Sequence, residues 1–315
     1  MQGFETIIHS ILTLGLAMLI GFVCVKTGYI TEEQKNGLSR IIVRVTLPIL
    51  VITSLTSIDF DREKLINSIH VLLISILVIA MLYLIGAAIS KIGKIGGTKA
   101  PMYRCMMCFG NVVFMAFPLI QALYGAEGLL YAAIYELAND MFLWTVGVYT
   151  LGQTREDNIK IPIKERLKKL LNPGTIAFTS AFIMMALGLK FTGIVADVMS
   201  GIGGTTTYLS MLFIGGTLAS VDFRRIYTRL WLFVLTAVKM IIVPVILILI
   251  LRVFNLSDTA QAVIILQAAM PTSTVVVMLG MEYGADVPYC AEGVFITHIL
   301  GLLTLPLCFY LMNVL

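Results

Sequence analysis

The sequence predicts an all-α polytopic membrane protein of ten transmembrane helices, built as two inverted five-helix repeats. Three observations lead there. Hydrophobic residues make up 59% of the 315-residue chain and charged residues 13%, about half the charged share of a soluble domain; no soluble core could bury so much apolar surface. The apolar residues gather into runs long enough to cross a bilayer. The chain also repeats itself: Ser54-Leu55-Thr56-Ser57-Ile58-Asp59-Phe60 returns 163 residues later as Thr217-Leu218-Ala219-Ser220-Val221-Asp222-Phe223. Tyr124-Gly125-Ala126-Glu127 returns after 159 residues as Tyr283-Gly284-Ala285-Asp286. Two echoes in one order at nearly one offset indicate an internal duplication.

Taken in order, span 1 is the uncharged run 6–25, which Glu5 and the lack of a small-residue cleavage pattern distinguish from a signal peptide. Span 2 (41–58) carries only Arg44, which can snorkel to the interface. Spans 3 (65–90) and 4 (105–126) are uncharged, and span 5 (128–154) carries Glu136 and Asp140. In the second half, spans 6 (170–189) and 7 (198–221) are uncharged, and span 8 (230–251) carries Lys239. Spans 9 (259–281) and 10 (293–315) complete the set. A barrel is excluded because the runs do not alternate with period two. Residues 1–152 form the first repeat, 153–171 a cytoplasmic amphipathic linker, and 172–315 the second repeat. Five spans per copy is an odd number, so the copies lie in the membrane with opposite orientations.

The net charge of +4 conceals an asymmetry: alternate connections, starting with that between spans 1 and 2, hold 17 of the 22 Lys and Arg. The positive-inside rule makes those connections cytoplasmic and places both termini outside, in a cell (inner) membrane protein. Nucleic-acid binding is a poor reading of basic residues spread over short loops. The linker's six basic residues read as a lipid-facing anchor. Cys105-Met106-Met107-Cys108 has the spacing of a redox or metal pair, but it opens a membrane helix with no second pair and reads as reduced and packed. Gly201, Gly203, Gly204, Gly215 and Gly216 suit close helix packing. Glu292 is expected near the cytoplasmic interface, in contact with water.

Two spans contain a proline among small or polar residues: Gly110-Asn111 to Pro118 in span 4, and Gln267 to Pro271-Thr272-Ser273-Thr274 in span 9. Proline has no amide hydrogen and clashes with the carbonyl four residues back, so the carbonyls of Phe114 and Gln267 are expected to be freed. Such groups must be buried in protein or face a wet cavity. A break also exposes the amides and positive dipole end of the following half-helix, which attract anions. An ordinary proline kink explains one such proline; two in corresponding spans point to a site. Glu136, Asn139 and Asp140 share a helical face, and Asn139 falls on His298 under the 159-residue offset. Ionisable residues in lipid are expensive. An arrangement pairing Lys239 with Asp140 or Glu136, with His298 able to titrate, serves either proton coupling and substrate-charge recognition or a static ion pair.

No metalloprotease motif, P-loop or dinucleotide turn is present, so no enzyme activity, cofactor or metal is expected, and any transport must draw on gradients or simply run downhill.

Arg44-Val45-Thr46-Leu47-Pro48 running to Asp59-Phe60, Gly110-Asn111-Val112-Val113-Phe114-Met115-Ala116-Phe117-Pro118, and Ala269-Met270-Pro271-Thr272 followed by Tyr283-Gly284 resemble the auxin efflux carrier family, over essentially the whole chain. That family includes bacterial malonate and malate permeases and the plant auxin exporters. The resemblance implies broken, crossing spans 4 and 9. It implies a scaffold of spans 1, 2, 6 and 7 beside a transport domain of spans 3–5 and 8–10, moving as an elevator and often dimeric. It implies that Asn111 and the backbone around Pro118 and Pro271 hold an anionic carboxylate, with polar residues of span 5 supporting the crossing. Together with the reading of the residues above, the expected substrate site is Asn111, Val112, Phe114, Pro118, Gln267, Pro271, Thr272, Ser273 and Thr274, and the expected coupling or support site is Glu136, Asn139, Asp140, Lys239 and His298. The short central loop departs from the plant exporters and weakens auxin specificity; sodium coupling has no motif here. The expected function is secondary transport of a small organic anion, such as a mono- or dicarboxylate or auxin-like acid. The alternatives are a membrane receptor that binds an acid without moving it, or a channel.

Overall fold

A computed structural model describes residues 2–59, 61–153, 171–220, 223–254 and 256–315. These residues are almost wholly helical. α1 is Gln2–Lys26, α2 is Glu32–Thr56 and α3 is Arg62–Ile92. α4 is Lys99–Cys108, followed by α5 over 112–124 and α6 over 126–152. The second half holds α7 Pro173–Ala186, α8 Gly193–Ala219, α9 Leu230–Leu251, α10 Asp258–Ala268, α11 Thr274–Tyr283 and α12 Val287–Val314. α4 with α5, and α10 with α11, occupy the sequence of spans 4 and 9. The linker expected at 153–171 lies almost wholly outside the described residues.

Polar residues set where the helices begin. Thr31 and Gln34 form a capping box that starts α2 nine residues before the apolar run. Asp61, Asn172 and Ser257 cap α3, α7 and α10 with side-chain oxygens. Asp286 does the same for α12, which begins at Val287 rather than near 293 and so draws Glu292 into the helix. Far from being wet, Glu292 is buried and bound at 2.6 Å by Arg229.

The two sequence echoes fall where helices end or the chain turns. Ser57 and Ser220 close α2 and α8 through the same tight hydrogen bond, to Ser54 O at 3.3 Å and Thr217 O at 3.2 Å. Gly125 (φ 59°, ψ −148°) turns the chain from α5 into α6, and Gly284 (φ 69°) ends α11 before α12; only glycine takes Gly125's conformation without strain. The echoes are therefore two helix ends and two turns, each required by backbone geometry.

Packing gathers the helices into two groups. α1 lies along α8, where a side chain on Gly215 would strike the carbonyl of Met18, and α2 packs on both α7 and α8. α3 packs on α4 and on α5–α6, α10 on α5–α6 and α9, and α12 on α9 and α11. Among the described residues, five helical stretches are long and apolar enough to cross a membrane, and others are shorter but apolar. Large apolar side chains such as Leu16, Leu77, Leu84 and Leu303 stand more than half exposed. In water such a surface would be an aggregation hazard; in lipid it is the solvated face.

Candidate functional site

α4 stops at Cys108 because Phe109 turns extended (φ −97°, ψ 115°). In the second half, α10 stops at Ala268, and 269–273 run without helix to Thr274. The two interruptions meet side by side as a short antiparallel bridge between Gly110 and Thr272. The Asn111 N–H donates to Pro271 O at 2.7 Å and the Ser273 N–H to Phe109 O at 3.0 Å. Each break thus satisfies backbone groups of the other, which unpaired would cost several kcal/mol each in a lipid interior. Gly110 permits the approach: a Cβ there would lie 3.1 Å from that of Met270.

The expected break at Pro118 is corrected. The interruption lies at 109–111, and helix runs unbroken from Val112 past Pro118. A π-turn at Val112–Ala116 precedes the proline, as Ile42–Thr46 precedes Pro48 and Val238–Ile242 precedes Pro244. The wider turn accommodates a ring that an α-turn would force against the carbonyl four residues back. Phe114 lies inside that π-turn, its ring 4.9 Å from Phe213. Pro271 does fall in its break, but the Gln267 carbonyl is not freed, since it accepts from the Met270 N–H at 3.3 Å.

The polar side chains make a buried network through the bridge. The carbonyl of Met106, released where α4 ends, accepts from Lys239 Nζ at 2.9 Å and from Thr272 Oγ1 at 3.3 Å. A cation at the negative end of a half-helix is favourably placed. The Thr272 N–H donates to Thr297 Oγ1 at 3.1 Å. His298 Nδ1 lies 2.8 Å from Val294 O; a carbonyl only accepts, so Nδ1 carries the proton. Nε2 is then left to accept from Asn111 Nδ2 at 3.0 Å. Asn111, Lys239, Thr272, Thr297 and His298 are all buried.

The expected pairing of Lys239 with Asp140 or Glu136 is also corrected. Lys239 makes no ion pair among the described residues, and Asp140 Oδ2 accepts instead from Asn172 Nδ2 at 2.6 Å. Glu136 Oε2 accepts from Asn139 Nδ2 at 3.0 Å. The acids line a cavity and the lysine does not; sequence could not say which helix faces meet.

A cavity of about 210 Å³ opens beside the bridge. It is lined by Asn111, Val112, Phe114, Ser273, Glu136, Asn139 and Asp140, together with Leu47, Val51, Phe117, Trp144, Asn172 and Phe178. Pro118, Gln267, Pro271, Thr272, Thr274, Lys239 and His298 are not among its lining residues. Gln267 Nε2 donates instead to Ala132 O at 3.3 Å. No side chain caps the start of α5, and Ser273 caps α11 by accepting from the Val275 N–H at 3.3 Å. The start of α5 therefore presents uncapped helix donors beside the cavity. Asn172 and Thr297 escaped the sequence reading; the Asn172-Pro173 pair was a helix-start signal for the first, and nothing in the sequence marked Thr297.

A family model described as membrane transport protein matches residues 6–309. An uncharacterized transporter of Methanothermobacter thermautotrophicus is 24% identical over 313 residues, covering 95% of this chain and 96% of its own. The uncharacterized transporter MJ1031 of Methanocaldococcus jannaschii is 23% identical over 303 residues, covering 93% of this chain and 94% of its own. With the helices apolar enough to cross a bilayer and a family match over nearly its whole length, the chain belongs to the membrane transport protein family, that of the auxin efflux carriers.

Proposed function

We propose that this transporter is a secondary carrier of a small organic acid in its carboxylate form, with the carboxylate bound where the two interrupted helices meet. One observation carries the reading. Two helix breaks bridge each other through Gly110 and Thr272 beside a cavity that Asn111, Ser273 and the uncapped start of α5 line. Helix N-termini facing a cavity within a membrane bundle are suited to an anionic group.

The same reading takes the helices as ten spans in two inverted repeats, with both termini outside the cell membrane. Polar contacts support that alternation. Asp59 meets Lys190, and the Ser257 N–H meets Asn67 in the first turns of α3, on the side assigned outside. Lys99 meets Asp286, and Lys35 meets Ser220 at the end of α8, on the side assigned to the cytoplasm. The two packing groups supply a scaffold (α1, α2, α7, α8) and a moving unit (α3–α6, α9–α12). A second cavity, of about 550 Å³, is lined by Leu50, Ser54, Gln121, Lys190 and Ser200. α2 thus shows one face to each cavity, through Val51 and Leu50. Sliding α5 and α6 along α2 would carry the site from one to the other, an elevator step. A homodimer joined through the scaffold fits this motion.

Expelling one negative charge gains about 2.3 kcal/mol per 100 mV and needs no coupling ion. Inward movement needs a partner such as a proton, for which Glu136 and Asp140 face the cavity while Lys239 and His298 do not. The test is uptake into proteoliposomes of malonate, malate, lactate and indole-acetate under imposed pH and voltage gradients. Saturable counterflow is the expected result. Binding without counterflow would indicate a receptor, and flux that never saturates a channel.

A further inference from the structure

We propose that the carried solute bears an ammonium as well as a carboxylate, so that the cavity takes a zwitterionic amino acid with an apolar side chain. The inference rests on the carrier reading above and names the solute more narrowly. It follows from what the wall opposite the helix ends offers.

That wall is α6, with Glu136, Asn139 and Asp140 on one face lining the cavity. Asn139 is only 5% exposed, and its Nδ2 donates to Glu136 Oε2 at 3.0 Å. Asn139 Oδ1 is therefore an acceptor, and it is buried with no hydrogen-bond partner. A buried oxygen left so costs about 1–3 kcal/mol, and natural interiors seldom tolerate one without a ligand or water to meet it. Asp140 Oδ2 is held by Asn172, whose own Oδ1 is fixed by the Thr175 N–H at 2.9 Å, which sets that amide's direction too. What remains is an unmet acceptor, Asn139 Oδ1, flanked on the same wall by the carboxyl groups of Glu136 and Asp140.

No Lys, Arg or His lines the cavity among the described residues. Lys239 is committed to Met106 O, and His298 lies behind Asn111. A solute with carboxylates alone would bring only acceptors to this wall. A primary ammonium brings three N–H donors and one positive charge, which suit the unmet Asn139 oxygen and the carboxyl groups on either side of it. Its carboxylate then faces the amides at the start of α5. Phe114, Phe117, Trp144 and Phe178 surround the remainder, and their apolar rings suit an aliphatic or aromatic side chain.

The experiment compares amino acids with their deaminated counterparts: L-leucine with 4-methylpentanoate, and L-phenylalanine with 3-phenylpropionate. Each is followed by counterflow in proteoliposomes of the wild-type protein at neutral pH, with empty liposomes subtracted. The amino acids should exchange saturably and at least about tenfold more efficiently than the deaminated acids, the ratio expected for one charge-assisted contact. Glu136→Gln and Asp140→Asn should each lower amino-acid exchange by about tenfold or more in protein whose unfolding temperature is retained. Saturable exchange of the deaminated acids without the amino acids would overturn the inference and leave the carrier reading standing. So would unchanged amino-acid exchange in Glu136→Gln. Saturable exchange of no acid of either kind would bring down both. If a variant fails to fold, the wild-type comparison decides alone.

Discussion

Asn111 gives its side-chain amide to His298 and not to the helix it precedes. This leaves the first amides of α5 without a side-chain cap and ties the bridge to α12. His298→Phe would strip Asn111 of its acceptor in a dry interior, and should cost about 1–3 kcal/mol of stability, read as a drop in thermal unfolding temperature. His298→Gln, which can still accept, should cost less; equal losses would show that the ring's packing matters and the hydrogen bond does not. The polar residues themselves were legible: Asn111, Glu136, Asn139, Asp140, Lys239 and His298 stand out in apolar spans because burying each is expensive. Their partners were not. Lys239 is the only basic residue deep in a span, so pairing it with an acid follows from charge alone. The structure gives it the negative end of a half-helix instead, a group no side-chain inventory contains.

Proline and glycine exchange their expected parts at the level of the helix. Pro118 looks like a breaker but is absorbed by a π-turn, whereas Gly110, eight residues earlier, makes the bridge possible. Gly110→Ala should push Met270 aside and destabilise by about 1–3 kcal/mol, the usual cost of overpacking. Pro118→Ala should change stability by less than about 1 kcal/mol, as a substitution that leaves no unmet group and no overpacked contact. Unfolding in mild detergent would rank the two, and a larger loss for Pro118→Ala would contradict the assignment. That spans 4 and 9 are interrupted could be read from small and polar residues amid apolar ones. The point of interruption in span 4 could not, since a π-turn leaves no mark in composition. The second break was easier, because Pro271 sits in it.

Across the whole molecule, the apolar runs placed almost every described helix, and each copy of the two echoes falls at a helix end or a turn. Helix starts were read late wherever a polar cap preceded the apolar run, as at Thr31 and Asp286. The clasp between Asp59 and Lys190 joins two distant connections at 2.6 Å. The hydrogen bond and charge of Lys190 hold the Asp59 carboxyl below its ordinary range. An acid whose value is lower in the folded state contributes stability above its unfolded value, about 3.9, and loses it as pH falls through the lowered value. The difference in unfolding temperature between wild type and Asp59→Asn should therefore be present, though small for an exposed pair, near pH 6 and shrink below about pH 4. A difference unchanged with pH would remove the clasp from the stability of the fold.

The claim on which the rest depends is that the carried solute binds where the two helix breaks meet. It is tested most directly by solute counterflow through Asn111→Ala in proteoliposomes, matched to wild type for amount and unfolding temperature. Flux should fall to that of empty liposomes, because the residue that links the bridge, the cavity wall and His298 is gone. Saturable flux equal to the wild type's would place the binding site elsewhere in the molecule.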